Sequence, residues 1–174
     1  MRSYDGWDEF PAAGRDIFQK MRTPDVGEAM VLDKNVFLRR ILPASCLGGL
    51  NDAAFDVYNR RYAEDRGARL PTLVWPRQIP FRRVEDQGAG ENRGDPVGIV
   101  DAYFTFHQSA ADSGGIPKLY IDVSPGFFAE SNRRDAATWA NVTVSDTVVD
   151  GLHFAQESDG AAIGEAVRTF LEGL

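Results

Sequence analysis

The sequence predicts an α/β protein whose sheet is incomplete. Residues 1–80 carry apolar side chains at helical spacing, interrupted by proline and glycine. The last third instead alternates two short apolar runs, residues 118–123 and 142–149, with helical stretches over 129–140 and 160–174. Two strands cannot form a doubly wound sheet, and a strand that is apolar on both faces needs paired neighbours. We therefore expect only part of a folding unit, with its N-terminal core strands absent.

The helical half divides at its prolines and glycines. One helix is predicted over residues 11–21 and a second over residues 28–42. Asn51 is a good N-cap for a third helix, over residues 52–64. Residues 70–81 contain three prolines, which favours extended or looped chain because proline removes a backbone donor.

A polar stretch separates the two halves. Residues 82–96 contain three glycines and predict an exposed, mobile loop. A helix is predicted to follow over residues 96–112, since proline is tolerated in a first turn. The C-terminal helix has Ser158 or Asp159 as its predicted cap.

Composition and charge exclude several classes of function. The chain has 174 residues, a net charge of -7 and a pI near 4.8, which argues against binding to nucleic acid or an anionic membrane. No apolar stretch approaches the ~20 residues of a membrane span, and no secretory signal is visible. Cys46 is the single cysteine, so no intramolecular disulfide is possible, which fits a cytoplasmic protein.

His153 is the leading candidate for chemistry. It follows the second apolar run within residues 151–154 (GLHF), and a histidine suits a general base because its pKa lies near working pH. The alternative is a loop histidine that bonds only to backbone. His107 falls on a predicted exposed helix face and is interpreted as structural. The sequence has no Gly-x-Ser-x-Gly elbow, no metal-ligand spacing and no glycine-rich phosphate loop, so neither a metal nor another cofactor is expected.

Several ordered segments resemble the haloalkane dehalogenase family of α/β-hydrolases. Their order and spacing carry the resemblance, since each alone is weak. The segments are residues 7–11 (WDEFP), 15–18 (RDIF), 35–37 (NVF) with 42–43 (LP), 71–80 (PTLVWPRQIP), 116–119 (IPKL), 125–126 (PG) and 151–157 (GLHFAQE). Sea-pansy-type coelenterazine luciferase is similar to these dehalogenases and shares the framework.

The resemblance implies a partial α/β-hydrolase fold with a division of labour. Residues 1–81 would form the helical cap, residues 82–96 an exposed loop or insertion, and residues 97–174 the last two core strands with their helices. Such enzymes hydrolyse carbon–halogen bonds of small apolar substrates. An aspartate displaces halide, and a histidine then deprotonates the water that hydrolyses the resulting ester.

The resemblance also implies roles for individual residues. His153 matches the base. A further set matches positions that line the family's substrate pocket, and the alternative for each is a core side chain: Phe18, Phe37, Ile41, Ser45, Pro76, Phe127, Phe128 and Phe154. Trp75 and Trp139 are interpreted as core residues. Nothing matches the nucleophilic aspartate or the halide-holding tryptophan and asparagine. Asp122 lies near the acid position of some branches but appears out of register.

We therefore expect the chain to be inactive alone, with a missing N-terminal segment as its possible partner. Two alternatives stay open: a luciferase-like oxygenase relative, and a non-catalytic remnant that acts as a binding module.

Overall fold

The computed structural model describes residues 3–87 and 95–174. These residues fall into two compact units. We call residues 3–43 and 51–101 the helical unit, and residues 44–50 and 102–174 the sheet unit. The regular elements are α1 (Ala12–Arg22), α2 (Val26–Glu28), α3 (Leu42–Ala44), α4 (Asp52–Asn59), α5 (Leu70–Arg77), α6 (Pro96–Gln108), α7 (Ala110–Ser113), β1 (Lys118–Pro125), α8 (Ala129–Ala136), β2 (Val142–Gly151) and α9 (Gln156–Glu172).

The core of the helical unit lies where α1, α5 and the chain after α2 meet. Removing such apolar side chains from water is the main stabilising term. The predicted first helix is confirmed as α1, which begins directly after Pro11. The buried core residues are Met21, Val31, Leu32 and Leu73.

The prediction of one continuous helix over residues 28–42 is wrong. The chain instead forms two π-helical segments, Ala29–Asp33 and Phe37–Ile41, separated by Asn35. Asn35 is buried and adopts a φ of 51°, in the left-handed region that interrupts a right-handed helix. Its side-chain amide donates a hydrogen bond to Asn59 Oδ1 at 3.0 Å, which ties this break to the end of α4.

The prediction of extended or looped chain over residues 70–81 is also wrong for residues 70–77, which form α5. Pro71 lies in the first turn, where its missing N–H has no intrahelical partner to lose. Pro76 lies inside the helix near its end and removes the N–H that would otherwise bond the carbonyl four residues earlier. Asn51 does cap α4 as predicted, accepting the Ala54 N–H at 2.9 Å, although α4 ends at Asn59 rather than residue 64.

The polar stretch at residues 82–96 is described only in part. Residues 84–86 form a 3₁₀ turn, and residues 88–94 of the predicted mobile loop lie outside the described residues. The Arg22 guanidinium donates to the carbonyls of Pro76 and Gln87, and burial lowers its pKa to about 10. One buried side chain thus fixes the chain on both sides of Phe81.

The sheet unit contains two parallel strands, β1 and β2, joined by α8. Within the described residues each strand pairs only with the other. Helix α9 packs against both strands and α8 against β1. The strand-helix-strand-helix prediction is confirmed. At the start of β1, the buried Lys118 ammonium donates to the carbonyls of Ser113, Ile116 and Ala140.

His107 is less exposed than its predicted helix face indicated. The predicted helix over 96–112 breaks at Ser109, which caps α7, and His107 lies just before that break. Its ring contacts Tyr103 at 4.3 Å and Trp139 at 5.1 Å between centroids. Both ring nitrogens are buried, and burial, followed by the charge of Lys118, lowers the His107 pKa. These contacts agree with a structural role.

Candidate active site

Two loops lie side by side at the carboxyl ends of β1 and β2. Pro125 pairs with Gly151 in the strand register, and the Gly126 N–H donates to the Gly151 carbonyl at 3.0 Å. The loop after β1 continues into Phe127 and Phe128, and the loop after β2 contains His153. Open α/β sheets bind ligands at this edge, beyond the carboxyl ends of their strands.

Both loops begin at a glycine that leaves no room for a side chain. Gly126 has a φ of 60°, and a Cβ there would lie 2.5 Å from the Val123 carbonyl oxygen. A Cβ on Gly151 would lie 2.7 Å from the Ala155 Cβ. Glycine at these two positions therefore lets Gly126 turn tightly between Val123 and Ala129, and lets Gly151 pack against Ala155.

The backbone around His153 is held by a distant segment of the sheet unit. The Ser45 carbonyl accepts hydrogen bonds from the N–H groups of both His153 and Phe154, each at 3.0 Å. Nearby, the Leu47 N–H donates to Ser158 Oγ at 3.2 Å. Residues 44–50 thus bind the histidine loop and the start of α9 together.

The imidazole of His153 is surrounded on one side by aromatic rings. Its centroid lies 4.8 Å from the ring of Phe154, 5.7 Å from Phe128 and 6.3 Å from Phe127, each in an edge-on arrangement. The residue remains exposed on its other side. Desolvation by this shell lowers the His153 pKa below its ordinary value. The ring is therefore neutral at neutral pH and able to accept a proton.

Asp122 does not supply the carboxylate that would orient His153. It is buried within β1, opposite Val148, and pairs with the guanidinium of Arg133. Across the ranges 3–87 and 95–174, no hydrogen bond or ion pair joins the His153 ring to a carboxylate. A catalytic histidine normally has such a partner to fix its tautomer.

The candidate substrate-contacting residues fall into two sets, one in each unit. Four share the sheet unit with His153: Ser45, Phe127, Phe128 and Phe154. The other four lie in the helical unit: Phe18, Phe37, Ile41 and Pro76. Phe37 and Ile41 pack against the helical core, and Pro76 is buried. Whether these residues contact substrate stays a prediction.

Trp75 is a candidate that the sequence interpretation missed, having assigned it to the core. It lies on α5 and is 51% exposed. Its ring contacts Phe18 at 5.9 Å and Phe37 at 6.2 Å between centroids, both edge-on. An exposed indole beside two phenylalanines presents an apolar aromatic surface. Its proximity in sequence to Pro76, already a candidate, was the available signal.

The arrangement does not favour metal chemistry. Among the residues that the structure describes, no group of three or more His, Cys, Asp or Glu side chains is placed to hold a metal ion.

In the same residues, no helix is both long and apolar enough to cross a membrane. The Cys46 thiol is buried, and desolvation, followed by the charge of Glu157, raises its pKa, so it is a poor nucleophile.

Sequence comparison finds haloalkane dehalogenases and an oxygenase. The haloalkane dehalogenase of Sphingobium indicum is 36% identical over 169 residues, covering 97% of the chain and 52% of the relative. That of Mycolicibacterium smegmatis is 33% identical, covering 95% and 49%. The coelenterazine h 2-monooxygenase of Renilla reniformis is 32% identical, covering 97% and 50%. No protein-family model matches the chain.

The solved structures that match are also haloalkane dehalogenases, and they confirm the prediction of a partial α/β-hydrolase fold. The haloalkane dehalogenase DbeA from Bradyrhizobium elkani matches with a TM-score of 0.82 and 32% identity, covering 99% of the chain and 56% of that structure. An ancestral haloalkane dehalogenase matches with a TM-score of 0.79 and 32% identity, covering 99% and 57%. The chain therefore spans about half the length of the relatives that it matches.

Proposed function

Because this chain is homologous along nearly its whole length to the haloalkane dehalogenases of the α/β-hydrolase superfamily, we propose that it carries the general base of a carbon–halogen hydrolase. The supporting observation is the placement of His153. It follows β2 at the carboxyl edge of the sheet, its backbone is held by Ser45, and its ring has a lowered pKa.

The proposed reaction has two steps. An aspartate outside these 174 residues attacks the carbon that bears the halogen, so that a carbon–oxygen bond forms and halide leaves. Water then attacks the ester carbonyl, His153 takes the proton of that water, and the acyl–oxygen bond breaks to release the alcohol. His153 thus acts in the second step only, where a neutral imidazole is the useful form.

The side chains around His153 favour a small apolar substrate. Phe127, Phe128 and Phe154 supply hydrocarbon surface beside its ring. A haloalkane offers no charge or strong hydrogen-bonding group, so its affinity comes from such burial.

We further propose that the chain is inactive without a segment that supplies the nucleophile, the halide-binding donors and the acid. Exposed apolar surface on the sheet unit supports this proposal. Val144 is 50% exposed and Val148 is 54% exposed on a strand, and Tyr103 on α6 is 58% exposed. Such surface, beside strands that lack further neighbours among the described residues, is typical of a contact face.

A luciferase-like oxygenase is the second candidate. The match to the Renilla monooxygenase covers 97% of the chain at 32% identity, comparable to several dehalogenases. A non-catalytic binding module is the third candidate, favoured only if no upstream segment restores activity.

Halide release tests the first proposal. The chain alone should release no halide from 1-bromobutane or 1,2-dibromoethane above the buffer rate. The same chain joined to, or co-expressed with, the N-terminal segment of a homologous dehalogenase should release halide. Light emission from coelenterazine without halide release would favour the oxygenase. Neither activity from a folded complex would favour the binding module, and halide release by the chain alone would contradict the missing nucleophile.

A further inference from the structure

Three hydrogen bonds connect residues 44–50 to the histidine loop and the start of α9. Two of them run from the His153 and Phe154 N–H groups to the Ser45 carbonyl. The third runs from the Leu47 N–H to the Ser158 hydroxyl oxygen, across 111 positions of sequence. Of these three hydrogen bonds, the one to Ser158 involves a side chain, whereas the other two join backbone groups.

A change of direction in α9 frees Ser158 for this contact. Asp159 has φ −144° and ψ 61°, so the helical geometry stops after the first turn. Asp159 Oδ1 then accepts the Ala162 N–H at 3.1 Å and caps the rest of the helix. Two adjacent residues that both suit an N-cap therefore do different things: Asp159 caps α9, and Ser158 contacts Leu47.

We propose that Ser158 is a positioning residue for His153, acting through Leu47 and Ser45. Leu47 is two residues from Ser45, so holding its N–H restricts rotation of the Ser45 carbonyl. That carbonyl holds the two backbone donors that set where the imidazole lies against Phe128. The functional value of this positioning rests on the proposed role of His153 as base. The positioning itself is argued from the hydrogen bonds and ring contacts alone.

Amide exchange in the full 174-residue chain measures the effect directly. Ser158→Ala should speed exchange of the His153 and Phe154 amides about fivefold, the size expected from one lost hydrogen bond. The His153 pKa, followed by NMR of its imidazole, should rise toward its ordinary value as the ring becomes more hydrated. His153→Gln assigns the signal, since His107 is the only other histidine.

Matched variants separate positioning from general stability. Ser109→Ala removes a hydroxyl that also accepts a backbone N–H at 3.2 Å, on α7, away from the histidine loop. It should leave the His153 pKa and the two amide exchange rates unchanged. Ser158→Thr and Ser158→Val have nearly the same shape but differ in the hydroxyl, so the threonine variant should resemble the parent and the valine variant should resemble Ser158→Ala.

Three results would overturn the proposal. They are unchanged exchange and pKa in Ser158→Ala, equal behaviour of the threonine and valine variants, and global unfolding of both hydroxyl-free variants while Ser158→Thr folds. The last result would make Ser158 a support of the whole unit rather than of the loop. None of these measurements depends on enzymatic activity. The dehalogenase proposal is tested separately, by halide release from the completed protein.

Discussion

The carbonyl of Ser45 accepts the N–H groups of His153 and of the residue after it, each at 3.0 Å. Ser45 comes from the helical half of the sequence, yet residues 44–50 pack as part of the sheet unit. The backbone of the candidate base is therefore fixed by a segment that lies far away in sequence. Changes in residues 44–50 are expected to act on His153 without touching its ring.

Acid should destabilise the fold through its two histidines. Burial lowers the pKa of both His107 and His153, so the unfolded chain binds protons more readily than the folded chain. Their contribution to stability is present above the ordinary histidine pKa of ~6.5 and is lost as pH falls through it. Urea midpoints should therefore decrease between about pH 7.5 and pH 5.5.

His107 is expected to contribute more of this pH dependence of stability than His153, and the His107→Phe variant isolates its contribution. The nitrogens of His107 are buried, whereas His153 is exposed and its charge is screened by solvent. This variant keeps an aromatic ring against Trp139 and removes the titrating group. It should flatten the decline in urea midpoint. An equally steep decline in the variant would assign the acid sensitivity to other groups.

Loss of the Asp122–Arg133 pair should weaken the sheet unit without affecting the base. Arg133→Ala leaves a buried carboxylate unpaired, and we expect a cost of about 2 kcal/mol, below the ~3–5 kcal/mol of a fully buried pair because Arg133 is exposed. Chemical denaturation measures this loss. The His153 pKa should stay the same in Asp122→Asn, and a clear decrease there would instead make Asp122 the orienting acid.

The glycines at the start of the two loops should not tolerate alanine. Gly126→Ala and Gly151→Ala each place a Cβ within 2.7 Å of another heavy atom, and we expect a loss of about 1–3 kcal/mol from the overpacking. Gly164→Ala in α9 is the matched control. A Cβ there meets nothing within 4 Å, so it should stabilise the helix by up to ~1 kcal/mol. Equal thermal shifts in all three variants would contradict the tight packing at Gly126 and Gly151.

Local signals in the sequence predicted much of the fold correctly. Asn51 caps α4 because its side chain satisfies a free N–H of the same first turn. The two strands and the helices around them follow from short-range apolar patterns. Pro71 was misinterpreted because proline is unfavourable inside a helix but tolerated in its first turn, and the sequence does not mark where α5 begins. The break at Asn35 depends on its burial and its bond to Asn59, which local spacing does not encode.

The residues of the candidate site were predicted from their match to positions in the dehalogenase family, and their contacts with one another were not predicted. Phe154 follows His153 directly in sequence, whereas Phe127 and Phe128 come from the loop after β1, and the structure brings them together. The contact between Ser45 and His153 depends on tertiary folding, so no periodicity could indicate it. Trp75 was assigned to the core because large aromatic residues are usually buried, whereas here half of its surface is exposed.

The most direct test of the account is the mass of a quenched His153→Ala variant in the completed enzyme. The nucleophilic aspartate is already ionised, so the first step needs no base, whereas the attacking water must lose a proton. We predict one halide released per enzyme, then a stop, with the alkyl group retained as an ester adduct on the protein. Continued turnover at the parental rate, with no adduct, would remove His153 from the mechanism. A folded variant that gives no initial halide release would show that His153 acts before the ester forms.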